Sequence, residues 1–158
     1  MRIWIIAVGH KMPDWVSKAC QEYLKRMPAD CAIELKEIKP DINPAKEASK
    51  ISAVIPKNTL VIALDERGKD VRTNDVAKHL QQWHATGKDI VFLIGGADGL
   101  DPSLKTSQSN VWKLSSLTLP HAFARLLLIE QLYRAWTILQ GHPYHREDRK
   151  STRLNSSH

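Results

Sequence analysis

Ile90-Val-Phe-Leu-Ile-Gly-Gly-Ala-Asp-Gly-Leu-Asp-Pro102 is the stretch that decides how this chain folds. Its first five residues are apolar without a break. A strand with one wet face alternates apolar and polar residues. An unbroken run is the pattern of a strand covered on both faces, as in a parallel sheet between helices. The run stops at a turn containing Gly95, Gly96 and Gly99. Glycine has no Cβ, so such a turn can bring backbone close to a ligand. In open parallel sheets ligands sit beyond the carboxyl ends of the strands. The spacing is not Gly-x-Gly-x-x-Gly and no long helix follows it, which disfavours a dinucleotide pyrophosphate site. Taken alone, the turn reads equally well as a plain connector.

Working outward, Thr59–Leu64 (TLVIAL) repeats the unbroken apolar pattern and ends in Asp65-Glu-Arg-Gly-Lys69. Arg2–Val8, Ala32–Ile38 and Val111–Leu114 read as three further strands. Helices fall between them. The first runs from an Asp14 N-cap to Met27, with Trp15, Ala19, Tyr23 and Met27 at steps of four and Val16, Cys20 and Leu24 beside them, so one face is expected to be buried. The second carries Ala45, Ala48, Ile51 and Ile55 and is stopped by Pro56. Thr73 caps a third, reaching about Thr86 before Gly87. A short helix is expected near Pro102–Ser107. The longest spans Ala122–Gln140, with Gly141 and Pro143 ending it. This alternation predicts an α/β fold of three layers around a mainly parallel sheet, in one domain.

Composition narrows the class. Charged content of 25% and apolar content of 42% are ordinary for a globular domain. No apolar run approaches the ~20 residues of a membrane span. The N-terminus lacks a signal-peptide pattern, so a cytoplasmic protein is expected. Cys20 and Cys31 have no metal spacing and read as buried thiols. The histidines form no zinc signature, so no metal is expected. The net charge is +6, of which residues 148–158 supply +2 and the rest +4. That mild basic bias is compatible with RNA. Asp148–His158 (DRKSTRLNSSH) is polar and aperiodic. It reads as foreign to the domain and is expected to lack fixed structure.

The segments around the last helix carry most of the chemistry. Ser115–Pro120 can offer backbone N–H and C=O groups to an adenine edge while Leu117 and Leu119 cover its face; a plain strand-to-helix connector is the alternative. His121 and Arg125 lie one turn apart at the helix start. Arg134 has Glu130 as an i,i+4 partner. Arg125 has no equally obvious helical partner, and a cation near a helix N-terminus is disfavoured unless an anion binds there. His142-Pro-Tyr-His-Arg146 follows the helix with groups able to stack on bases and contact phosphates.

At this point the chain resembles a known family. Ala7-Val-Gly9, Lys11-Met-Pro-Asp-Trp15, Phe92–Leu100, Leu114-Ser-Ser-Leu-Thr-Leu-Pro-His121, Leu132-Tyr-Arg-Ala-Trp136 and His142-Pro-Tyr-His-Arg-Glu147 are similar, in order, to the bacterial large-subunit ribosomal pseudouridine N3-methyltransferases of the SPOUT (trefoil-knot) superfamily. The resemblance covers residues 1–147 and implies that these form the SPOUT methyltransferase domain, with 148–158 outside it. It implies a C-terminal trefoil knot, which no periodicity predicts. It implies S-adenosylmethionine as methyl donor, held by Leu64, Gly96 and the loop residues Ser115, Ser116, Leu117, Thr118, Leu119 and Pro120. The substrate implied is a pseudouridine in a hairpin loop of large-subunit rRNA, met on the assembled ribosome. The enzyme would be a homodimer, each site completed by the partner's tail.

On that reading His145, or in second place His121, helps to deprotonate N3. Arg125 or Arg146 binds a phosphate or base carbonyl, and Tyr144 stacks on the base. Family members end at the tail, whereas here eleven residues follow Glu147 and stand to obstruct it. Two other readings remain open: a non-catalytic RNA- or nucleotide-binding domain, and a methyltransferase of the same superfamily acting on tRNA.

Overall fold

The structure is a computed structural model, which describes residues 1–9, 11–105, 110–141 and 144. Five strands alternate with four α-helices: β1 (Arg2–Val8), α1 (Asp14–Arg26), β2 (Ala32–Ile38), α2 (Pro44–Val54), β3 (Thr59–Asp70), α3 (Thr73–Ala85), β4 (Asp89–Ile94), β5 (Val111–Lys113) and α4 (His121–Gln140). Short 3₁₀ turns lie at Ala29–Cys31 and Pro102–Leu104. The sheet order is β2-β1-β4-β3-β5, and every neighbouring pair is parallel.

The unbroken apolar strands are the central ones, as expected. Ile3, Ile5 and Ala7 of β1 share a face with Ile90, Phe92 and Ile94 of β4, under α1, α3 and α4. Trp4, Ile6 and Val8 share the other with Val91 and Leu93, and Ile51 of α2 covers them. The three layers are therefore helices, sheet, and a thinner layer of α2 with Leu100. Helix α4 packs on both α1 and α3. Trp112 of β5 stacks on Trp83 of α3 with centroids 5.8 Å apart, which fixes the sheet edge under the helices. The chain passes from β3 inward to β4, outward again to β5, and back over the sheet as α4. That path is consistent with the knotted crossing the resemblance implies.

Several element ends differ from expectation. Pro13, not Asp14, occupies the N-cap of α1, and Asp14 is the first helical residue. Thr73 likewise lies inside α3. The Asp75 carboxylate accepts the Arg72 N–H at 2.9 Å in the capping role, and the Thr73 hydroxyl instead donates to Gln131 of α4 at 2.6 Å. Strand β3 does not stop at Leu64. It continues to Asp70 after a register shift between Leu64 and Lys69, because β5 supplies a partner for the polar half. The 3₁₀ turn Pro102–Leu104 replaces the short helix expected there, of which Ser107 lies outside the described residues.

Strand register positions the site. Leu64 pairs with Ile94 on one side and with Trp112 on the other. Asp65, at the irregularity within β3, therefore lies beside Gly95-Gly96 and Leu114-Ser115 as those two segments leave the sheet. On the far side of β4, Ile94 pairs with Ala7, which brings Gly9 beside Gly96. The 95–99 turn folds back on itself, with Gly99 N–H donating to the Gly96 carbonyl at 3.0 Å. Gly99 has φ +78°, and a Cβ on Gly95 would lie 2.5 Å from the Gly99 carbonyl carbon. A side chain at Gly95 would require a shift of backbone, and the positive φ at Gly99 strains most side chains.

Candidate active site

Two cavities open at the carboxyl ends of the strands, one on each side of the Gly96–Asp98 turn. The first, about 480 Å³, lies over β4, β3 and β5. It brings together Leu64, Gly96, Ser115, Leu117 and Leu119 from the expected cofactor set. Ser116, Thr118 and Pro120 do not line it. The loop bends at Leu114, Ser116 and Leu117, and the side chains of Ser116, Thr118 and Pro120 are exposed away from the cavity lining. The Leu117 N–H donates to the Ser115 hydroxyl at 2.9 Å, which tightens the loop.

Residue reasoning did not single out the polar wall of this cavity. Lys105 donates to Asp65 at 2.7 Å. Burial works to raise the Asp65 carboxyl, but the Lys105 hydrogen bond and the Arg67 N–H outweigh it and hold the group below its ordinary value. The one available signal was the position of Asp65 immediately after an apolar strand.

The second cavity, about 410 Å³, lies over β2, β1 and β4. His121, exposed at the first position of α4, lines both cavities. Arg125 forms the floor of the second and is only 1% exposed. Its charge partner is not on its own helix but on β2, where Glu37 Oε2 lies 3.3 Å from Nη1. Nε and Nη1 make no hydrogen bond, the only buried side-chain nitrogens or oxygens so placed among the described residues. A buried guanidinium left this poorly satisfied costs stability. It is the arrangement expected where a ligand supplies the missing acceptor. Arg134, in contrast, is bound to Glu130 at 2.6 Å, as its spacing suggested.

Tyr144 is placed apart from these residues. Its hydroxyl donates to Glu130 at 3.1 Å and lies 3.2 Å from that of Tyr23. Its ring packs edge-on against Tyr133, with centroids 4.9 Å apart. Within one chain it belongs to the far end of α4 and does not reach the cavities, so base stacking in its own site is not what this ring does. His145 and Arg146 lie outside the described residues. No group of three or more His, Cys, Asp or Glu with metal-binding geometry occurs among the described residues, and no described helix is long and apolar enough to cross a membrane.

A wholly parallel sheet with cavities at its carboxyl ends defines an α/β ligand-binding architecture, and comparison with known proteins narrows it. The chain belongs to the SPOUT methyltransferase family: the family model described as "Predicted SPOUT methyltransferase" matches residues 1–145. It is 71% identical over 147 residues to the Ribosomal RNA large subunit methyltransferase H of Polynucleobacter asymbioticus, covering 93% of this chain and all of that one. It is 54% identical to the protein of the same name from Paraburkholderia phymatum, across 92% of this chain and 99% of the relative. Among solved structures, a probable methylase family protein from Haemophilus influenzae Rd KW20 superposes with a TM-score of 0.55 at 16% identity, covering 90% of this chain and 68% of the other. At that identity the likeness speaks for the fold alone.

Proposed function

We propose that this protein transfers a methyl group from S-adenosylmethionine to N3 of a pseudouridine in a hairpin loop of large-subunit rRNA. It acts in the cytoplasm on the assembled ribosome. The observation that carries the proposal is the first cavity, where Leu64, Gly96, Ser115, Leu117 and Leu119 converge from three separate strand ends. Its size lies within the roughly 300–1,000 Å³ of small-molecule sites. Leucines can cover the face of a purine, and the loop backbone can meet its edge. Asp65 is a partly buried acceptor, already held by Lys105 and the Arg67 N–H, at the polar wall. These residues fit the donor, which when bound supplies a methyl already activated on a sulfonium.

What remains for the protein is alignment and removal of the N3 proton. His121 stands where the two cavities meet and can hold a proton there. His145, brought by the tail of a partner subunit in a homodimer, is the favoured base. A His145→Ala variant with undiminished turnover would remove that role. Arg125, with unfilled donors, binds a carbonyl of the base and stabilises the charge that develops as N3 loses its proton. Arg146 would hold a backbone phosphate, and Tyr144 of the partner would pack at the mouth of the site. The target lies in a loop, so turning it out costs little. Residues 1–147 suffice for this activity, and 148–158 lie outside the domain.

The test uses donor with a labelled methyl and ribosomes lacking the modification. Free rRNA and tRNA run in parallel, beside a chain ending at Glu147. Label mapped to a large-subunit pseudouridine is expected. Label in tRNA alone would move the substrate, and absence of donor binding would end the reading.

A further inference from the structure

The second cavity holds a buried carboxylate that the reaction as described does not use. Glu47, on the first turn of α2, is only 7% exposed and lines this cavity with Arg125. Acidic side chains are almost never buried so deeply without a partner. One oxygen, Oε2, accepts the Asp41 N–H at 3.0 Å. Among the described residues the other oxygen accepts no hydrogen bond, and no cation pairs with the group. The carboxylate also lies against the turn that divides the cavities, since a Cβ on Gly96 would sit 3.5 Å from both of its oxygens. Across the cavity, Gly9 is pressed on Arg125 so tightly that a Cβ there would meet Nη2 at 2.7 Å. One wall thus offers acceptors and the other only donors: Arg125 is sealed with donors unsatisfied, while the second Glu47 oxygen is left open toward the cavity.

That pairing matches one edge of the proposed substrate. Pseudouridine is joined to ribose through carbon, so its ring keeps a free N1–H next to the O2 carbonyl. Uridine can present the same outline with its ring turned over: N3–H is retained and a carbonyl still faces the donor, but C5–H stands where N1–H was. The two isomers therefore differ at a single point of that edge. Resting on the function proposed above, we infer that Glu47 accepts the pseudouridine N1–H while Arg125 donates to the adjoining O2. Glu47 is then the residue that tells the carbon-linked base from uridine. A site built to bond an N–H rejects an analogue lacking it because its own buried group is left unpaired.

The experiment compares ribosomes carrying pseudouridine at the target with ribosomes carrying uridine there, using the full chain. Wild-type protein is expected to favour pseudouridine in kcat/KM by at least about tenfold. In Glu47→Gln, the amide oxygen can keep the Asp41 bond while an NH₂ faces the base. Its preference should collapse towards one, with S-adenosylmethionine affinity kept within about threefold as the check on folding. A preference in Glu47→Gln equal to wild type, or equal losses on both substrates, would overturn the inference. So would a wild type that does not discriminate. No methyl transfer to either ribosome by wild type would instead remove the function on which the inference rests. If the variant does not fold, wild type acting on particles reconstituted with N1-methylpseudouridine decides. A fall of at least about tenfold supports the contact, and an undiminished rate overturns it.

Discussion

Arg125 Nη1 and Glu37 Oε2 stand 3.3 Å apart, joining the first turns of α4 to the end of β2 at the base of the second cavity. Glu37 is 44% exposed in its side chain and Arg125 almost fully enclosed, so the pair is half solvated and the guanidinium bears most of the burial. Removing each partner should therefore have different consequences. Arg125→Met removes a charge that is already short of acceptors, and should leave the urea midpoint unchanged or raise it. It should also lower kcat/KM for methyl transfer by at least about tenfold. Glu37→Gln keeps the buried cation and takes away its partner, and should cost about 1–3 kcal/mol in urea unfolding. Equal destabilisation by both would mean that Arg125 is simply a structural ion-pair member.

The alternation along the 115–120 loop gives a second contrast. Leu117 is 77% exposed yet lines the first cavity. Leu117→Ser should weaken S-adenosylmethionine binding by about tenfold in calorimetry, with little change in melting temperature. Ser116→Ala, whose side chain faces away, should bind like wild type.

Gly95 tests the turn itself. A methyl there would meet backbone at 2.5 Å, with no flexible side chain to yield. Gly95→Ala is expected to lower unfolding free energy by about 1–3 kcal/mol and to weaken donor binding along with it.

Asp65 makes part of the stability depend on pH. Its folded carboxyl is held below the ordinary value of 3.8. As pH falls, the unfolded chain binds the proton first, so stability is lost on acidification. The contribution is fully present above the ordinary carboxylate range and disappears as pH drops through the lower folded value. Lys105→Met should flatten the slope of unfolding free energy against pH below about 4. An unaltered slope would show that the pair does not set it.

Both thiols should be silent until the protein opens. Cys20 and Cys31 are buried, and burial chiefly pushes the Cys31 thiol up to about 11. At pH 8 Ellman's reagent should react with neither in the native state and with both in denaturant.

The strands were legible from residues because unbroken apolar runs mark the sheet interior: Ile90–Ile94 is buried throughout, and Thr59–Leu64 is partly buried, with Ile62 and Ala63 fully so. Of the 115–120 loop singled out through the resemblance, Ser115, Leu117 and Leu119 line the first cavity, and Ser116, Thr118 and Pro120 do not. The helix caps were not, since Asp14 and Thr73 are good capping types that backbone geometry placed one residue too late. Glu47 was hidden for another reason. On α2 it sits beside Ala48 and Ile51, in a pattern any surface helix could show. Only the sheet order, with β1 and β2 carrying α2 over the carboxyl edge, buries it. Arg125 was singled out correctly as a cation without a helical partner. Glu37 could not be found, because it comes from a strand whose adjacency to α4 is a property of the three-dimensional path.

The turn between the two cavities is main chain from Gly96 to Asp98, with His121 lining both beside it. Its thickness is thus a constant of peptide geometry. Point substitutions can change the lining of either chamber, but they leave the length of main chain between them unaltered. Inserting or deleting a residue in the turn is the one simple genetic change that alters it. Descendants of this sequence are accordingly free to vary their choice of target while the length of that turn stays fixed.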